Sequence, residues 1–322
     1  MARCTSCGSA YFTDARPVIG YTEKNFEDSY WFNYVQNGAG ISAMLEPLLA
    51  IGRQKRGNLL DVGCGFGFVP HYWQESGFGK RVALERASYG TIHAAKLGIT
   101  VVPEYYANAT ELHGEKFDYV FSSEVIEHVE DPSAFVREIS AALSDDGILI
   151  LTTPSVSVLQ SDSPYIELLA TLSPDFHYYV ASRGGFIDLL KACGFAHVEV
   201  RDLGHRLFAW ASHRPLPNIS DGFTDWPSYL NYLERLSYNG DLHVAGGALY
   251  RAVKDSFNLG HFDVAARLYP RFAAIAKEQY GIDFTDISAA IDPIRSRKKL
   301  NNEHYPSWLG CGLYYALSLI HI

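Results

Sequence analysis

Leu59-Leu60-Asp61-Val62-Gly63-Cys64-Gly65-Phe66-Gly67 is an apolar strand pattern that meets an acid and runs directly into a glycine turn. Between a strand and a helix, such a turn lets a ligand touch backbone amides, because glycine adds no side chain to block the approach. The dinucleotide fingerprint G-x-G-x-x-G would require glycine at 63, 65 and 68. Position 68 is Phe68, and the glycines follow G-x-G-x-G instead, with Asp61 two residues ahead of the first. A ribose-bearing ligand needs a second acid at the end of the next strand, where a carboxylate accepts from two hydroxyls. Arg81-Val82-Ala83-Leu84-Glu85 supplies one, a helix and a turn after Asp61. Asn108, in Tyr106-Ala107-Asn108-Ala109-Thr110, is the candidate side chain for reaching an adenine amino group.

Outward from this stretch, short apolar runs alternate with helical patterns from Asn58 to about Arg214. That alternation predicts an α/β fold with a parallel sheet wrapped by helices. Strands are expected at 58–62, 81–85, 99–102, 117–121, 147–152, 196–201 and 206–211. Upstream, Ile41, Met44, Leu45, Leu48 and Leu49 recur at helical spacing, which predicts a helix lying on the sheet. A helix is expected over 133–143, with Asp131 as its cap and Pro132 in its first turn, followed by a turn at Asp146-Gly147 into the next strand. Another is expected over 182–192, with Gly194 as its stop. After Arg214-Pro215-Leu216-Pro217 the strand patterns vanish and aromatic-rich helical patterns follow. The expected division is an aromatic-rich cap with a C-x-x-C over 1–40, a sheet domain over 41–215 and an all-helical region over 216–322. Gly260 to Ala265 with Tyr269 resembles one tetratricopeptide turn, but a stack needs about three.

The chain has 322 residues, 48% of them hydrophobic, and a formal net charge of −9. It is long enough to bury one large core and a smaller one. The negative charge and short basic clusters disfavour nucleic acid as a partner. No apolar run of membrane-spanning length is present and the start lacks the apolar stretch of a signal peptide, so a cytoplasmic location is expected. Five scattered cysteines suggest reduced thiols rather than a disulfide framework. Cys4-Thr5-Ser6-Cys7 has the spacing of half a zinc site, but no second C-x-x-C completes it.

A third group follows the fourth expected strand. In Phe117-Asp118-Tyr119-Val120-Phe121-Ser122-Ser123-Glu124-Val125-Ile126-Glu127-His128, the last two acids and the histidine are spaced i, i+3 and i+4. One helical turn would present Glu124, Glu127 and His128 to a common side, at the sheet edge where ligands of open α/β folds bind.

The G-x-G-x-G stretch resembles motif I of the class I S-adenosylmethionine-dependent methyltransferases. The Phe117 to Pro132 block, with Gly147 to Pro154 and Gly194-Phe195, resembles the branch that holds the ubiquinone-biosynthesis O-methyltransferases and the small-RNA 2′-O-methyltransferases. The resemblance covers residues 41 to 215. It implies a seven-stranded, mostly parallel Rossmann-like sheet with S-adenosylmethionine as cofactor, contacted by Asp61, Gly63, Cys64, Gly65, Gly67, Glu85, Asn108 and Ser122. In the RNA-methylating relatives a Glu-x-x-Glu-His group and a later histidine hold a divalent metal. The matching residues here are Glu124, Glu127, His128 and His177, for Mg, Mn, Fe or Zn. Three readings of His128 stay open: metal ligand, metal-free base and structural hydrogen-bond donor. His128 and His177 are the expected catalytic residues. The expected function is O-methylation of a small-molecule or saccharide hydroxyl. The alternatives are an idle cofactor-binding scaffold with a partner-binding helical tail, and RNA 2′-O-methylation.

Overall fold

The computed structural model describes residues 1–13, 31–51, 56–173, 176–220 and 225–286. Among them, short strands β1 (Ala2–Arg3) and β2 (Ala10–Tyr11) precede helix α1 (Ala39–Leu49). The main sheet is built from β3 (Leu59–Val62), β4 (Arg81–Leu84), β5 (Phe117–Ser123), β6 (Leu143–Pro154), β8 (His197–Asp202) and β9 (Arg206–Ser212), with the two-residue strand β7 (Tyr179–Val180) outside it. Helices α2 (Phe68–Glu75), α3 (Ser88–Lys96), α4 (Pro132–Ser140), α5 (Tyr165–Leu172) and α6 (Arg183–Ala192) fall between these strands.

The strand order is β4-β3-β5-β6-β9-β8. The pairs β3·β4, β3·β5 and β5·β6 are parallel, while β9 runs antiparallel to both β6 and β8. All four residues of β3 are buried, as a central strand covered by helices on both faces must be. Leu60, Val120, Ile139, Leu149 and Leu151 share one cluster. Fully buried Trp210 anchors α1 to the sheet, its Nε1 donating to the Pro47 carbonyl at 2.8 Å.

The sheet has six strands rather than the expected seven. Residues 99–102 contribute a single bridge, Val102 to Leu84. Val102 N donates to Ala83 O and its carbonyl accepts from Glu85 N, after which Pro103 offers no N–H to extend the ladder. The helix expected over 133–143 ends at Ser140, and Leu143 already pairs with Phe117. The register then shifts before Tyr119 meets Ile148, so Asp146 and Gly147 lie within β6 rather than ahead of it. The Asp131 cap is as expected, accepting from Ala134 N, while Ser182 caps the helix expected over 182–192 rather than lying in it, accepting from Gly185 N.

Close contacts divide the chain into two units, Met1–Glu23 with Met44–Gly222, and Lys24–Ala43 with Phe223–Ile322. The second unit contains α7 (Trp226–Leu236), α8 (Leu242–Asn258) and α9 (Phe262–Tyr280). Gly260, at φ +79°, sits in the turn between α8 and α9. Segment Trp31–Gln36 approaches α8 so closely that a Cβ on Gly247 would lie 2.0 Å from the Val35 carbonyl. Tyr30 and the apolar ending Leu317 to Ile322, with Cys311, lie outside the described residues. No helix among those described is long and apolar enough to cross a membrane.

Candidate functional site

The glycine turn begins where β3 ends. Gly63 N and Cys64 N both donate to the Leu84 carbonyl, at 2.8 and 2.9 Å, which hooks the turn onto the end of β4. Gly63, Gly65 and Gly67 all have positive φ, backbone that only glycine adopts readily. A Cβ on Gly63 would stand 2.5 Å from Val125 Cγ2, and one on Gly67 would stand 2.9 Å from Ala94 Cβ. Gly67 opens α2, so amides at a helix start face the same region as the turn.

Glu85 closes on this turn. Its Oε2 accepts from Gly65 N at 2.8 Å and its Oε1 from Ala87 N at 2.7 Å. Burial raises its pKa, against the pull of those amides. Asp61 is 1% exposed and its Oδ1 has no hydrogen-bond partner. Burial first, and then the charge of Glu85, push its pKa well up. Burial likewise raises the Cys64 thiol, with Asp61 and Glu85 adding to the effect. A shielded carboxyl oxygen beside a glycine turn is costly to leave unpaired. Ser122 is buried and its hydroxyl donates to the Val62 carbonyl, tying β5 to β3. Asn108 is exposed in a short 3-10 turn, with Nδ2 3.4 Å from Glu104.

The second half of the site follows β5. Glu124 has φ +56°, a left-handed backbone that costs a residue with a side chain free energy. Its amide donates to the Thr152 carbonyl, and its Oε1 accepts from Thr152 Oγ1 at 2.8 Å and lies 3.2 Å from Arg206 Nε. A 3-10 turn, Ile126–His128, then brings Glu127 and His128 inward. Glu127 is 1% exposed, and its Oε2 accepts from Thr153 Oγ1 at 3.1 Å.

His177 joins them from the segment before β7. The structure brings ligand atoms of Glu127, His128 and His177 within 4.8 Å of one another. Glu124 lies outside that trio, held instead by Thr152 and Arg206. His128 Nδ1 meets the Phe176 carbonyl at 2.9 Å, and His177 Nδ1 meets the Thr171 carbonyl at 2.8 Å. A carbonyl only accepts, so both rings carry their proton on Nδ1 and present an unprotonated Nε2. Burial lowers the pKa of both, and His177, with His128 beside it, falls to about 4. Burial, reinforced by Glu124, raises the Glu127 carboxyl well above its usual range. His128 Nε2 and Glu127 Oε1 lie 3.7 Å apart. Tyr179 adds a shielded hydroxyl with no hydrogen-bond partner, its pKa raised by burial and then by Glu127.

Arg206, Thr152, Thr153 and Tyr179 are absent from the sequence-derived candidates. The pair Thr152-Thr153, polar at the end of an apolar strand, was the available signal for two of them; Arg206 gives none.

Cys4 and Cys7 flank a tight turn in which Gly8 N donates to Cys4 O and Cys4 N to Ser9 O. Hydrogen bonds within this turn lower the Cys4 pKa. Cys4, Cys7, Cys64 and Cys193 are all free thiols. The Glu127, His128 and His177 trio is the sole metal-capable cluster among the described residues, so no third ligand there joins Cys4 and Cys7.

A doubly wound sheet carrying a G-x-G-x-G turn and an answering acid on adjacent parallel strands defines the class I methyltransferase architecture. The family model described as a methyltransferase domain matches residues 36–200, just over half of the chain. The chain belongs to that family, as a class I S-adenosylmethionine-dependent methyltransferase with S-adenosylmethionine as its cofactor. It is 30% identical over 160 residues to a ubiquinone biosynthesis O-methyltransferase of Actinobacillus pleuropneumoniae, covering 45% of this chain and 67% of that one. A second such relative from the same species is covered over 44% of its length. A tRNA U34 carboxymethyltransferase of Alteromonas mediterranea is 26% identical, covering 51% of this chain and 54% of that one. Among solved structures, a SAM-dependent methyltransferase from Thermotoga maritima, described as a possible histamine N-methyltransferase, is 17% identical. It covers 59% of this chain and 98% of that chain, with a TM-score of 0.46.

Proposed function

We propose that this protein transfers the methyl group of S-adenosylmethionine to a hydroxyl on a small molecule or saccharide. The observation that carries the reading is the convergence of Glu127, His128 and His177 just beyond β5, the strand next to the one that ends in the glycine turn. A scaffold that merely bound the cofactor would gain nothing from three converging titratable groups at this place.

In this reading Asp61, Gly63, Cys64, Gly65, Gly67 and Glu85 form the donor side, with Ser122 bracing it and Asn108 at its outer edge. The methyl donor is already activated, so the protein's work is to align the acceptor oxygen and take up its proton. The acceptor O–H gives its proton to an imidazole Nε2 while the oxygen attacks the methyl carbon. The methyl–sulfur bond breaks, and the sulfonium becomes the neutral thioether of S-adenosylhomocysteine. Burial supports this role by keeping both rings neutral at pH 7.

The same three groups suit a divalent cation, since two unprotonated imidazole nitrogens and a buried carboxyl form a mixed donor set for Mg, Mn, Fe or Zn. The carbonyls of Phe176 and Thr171 orient the rings as outer partners of metal-bound histidines do. Such an ion would lower the pKa of the acceptor hydroxyl and fix its direction. The deciding experiment supplies labelled S-adenosylmethionine to a cell extract with the purified protein and identifies the product by mass spectrometry. A new O-methyl group is expected; label on nitrogen, carbon or RNA alone overturns the acceptor assignment.

A further inference from the structure

A cleft of about 670 Å³ opens beside Glu124, within the usual range for small-molecule sites. Its lining includes Glu167 and Thr171 of α5, and His205 and Arg206 where the β8–β9 turn enters β9. Thr171 fixes the cleft relative to the chemistry, because its carbonyl is the group that holds the His177 ring. Ser157 and Ser163 also line it.

The lining mixes polar and apolar surface about equally, and Glu124, Ser157, Ser163, Glu167, His205 and Arg206 supply its polar side chains. Among the described residues, Val158 and Leu203 are the only large aliphatic side chains along it, too few to cover a prenyl tail, whose burial needs a continuous apolar wall. Charge narrows the choice further. Arg206 is the single Lys or Arg among the described lining residues, and Glu124 pairs with it at 3.2 Å. Glu167 adds a second carboxylate, so a phosphate or carboxylate on the acceptor would meet uncompensated negative charge. Carboxylates and hydroxyls spaced around an open cleft match a ring that presents several hydroxyl donors, since an ionised carboxylate accepts several hydrogen bonds at once.

We infer that this cleft binds the acceptor, and that the acceptor is a neutral saccharide rather than a prenylated phenol or a phosphate-bearing molecule. The inference rests on the methyl-transfer reading above and narrows its substrate class.

The test is saturation-transfer NMR on the full chain with S-adenosylhomocysteine present. The probes are methyl glycosides of glucose, galactose, mannose and rhamnose, together with glucose 6-phosphate and a short-chain alkyl catechol. Saturation transfer to at least one methyl glycoside is expected, with none to the phosphate or the catechol. Glu167→Leu should weaken that glycoside about tenfold or more, the effect of losing one charge-assisted hydrogen bond. Transfer to the catechol or the phosphate, silence from every glycoside, or indifference to Glu167→Leu each overturns the inference. Calorimetric titration of S-adenosylhomocysteine alone keeps the two readings apart. Donor binding without glycoside binding removes the saccharide assignment only, whereas absence of donor binding removes both.

Discussion

The rings of His128 and His177 stand 4.7 Å apart, centroid to centroid and edge to face, each with Nδ1 fixed by a backbone carbonyl. Neither ring has room to turn without losing that bond. His128→Ala and His177→Ala should therefore each lower methyl transfer by about 100-fold or more, the usual scale for a positioned base. Calorimetric affinity for S-adenosylhomocysteine should stay unchanged. Full turnover in both variants would exclude the trio from the chemistry.

The donor side gives the complementary result. Glu85→Ala removes the partner of the Gly65 and Ala87 amides, and S-adenosylmethionine affinity should fall at least tenfold, about 1.4 kcal/mol or more. Gly63→Ala combines φ +76° with a Cβ placed 2.5 Å from Val125. Strain of this kind costs on the order of 1–3 kcal/mol. Titration and thermal unfolding should register both losses; wild-type binding by Gly63→Ala would mean that the turn has another purpose.

Metal occupancy is readable without any acceptor. An ion at a hundredfold excess over its Kd stabilises a protein by about 2.7 kcal/mol, roughly 5 °C in Tm for a domain of this size. Manganese added to chelator-treated protein should raise Tm on that scale, and His177→Ala should abolish the rise. Arg206→Gln should enlarge it, because the substitution releases the Glu124 carboxylate. Identical melting curves with and without metal would leave His128 and His177 as metal-free groups.

Stability should depend on pH through His177. Its folded pKa, about 4, is depressed below the ordinary value near 6.5 of an unfolded chain. A depressed pKa means that the unfolded state takes up the proton first. The contribution is therefore complete above pH 6.5 and declines as pH falls toward 4. In metal-free protein the urea midpoint should drop across that interval, and drop less in His177→Gln. An equal drop in both would assign the acid sensitivity to other groups.

The donor half of the site is legible in sequence because its demands are local. Glycine at 63, 65 and 67 answers backbone geometry within one turn, and Asp61 and Glu85 each lie within one residue of a strand's last position. The acceptor half is only partly legible, since its groups are set by partners distant in the chain. Spacing alone puts Glu124 with Glu127 and His128, yet Thr152 and Arg206 draw its carboxylate aside and a left-handed φ turns its backbone. The strand expected over 99–102 shrinks to one bridge because Pro103 removes the next donor. The pattern of apolar residues carries no information about that loss.

The hairpin of β1 and β2 has a practical consequence. Ala10 and Tyr11 pair with Val180 and Tyr179, and Phe12 N donates to the Tyr178 carbonyl. On its other side Tyr178 N donates to the Glu127 carbonyl. The first dozen residues thus act as an outboard brace on the segment that delivers His177. The family match starts only at residue 36, so a protein trimmed to begin there would keep every donor-side residue yet lose the brace. Deletion of residues 1–12 should leave S-adenosylhomocysteine binding intact while turnover falls, and equal turnover would show that the brace is dispensable. The contacts that support the His177 segment reach beyond the stretch by which the kinship is recognised.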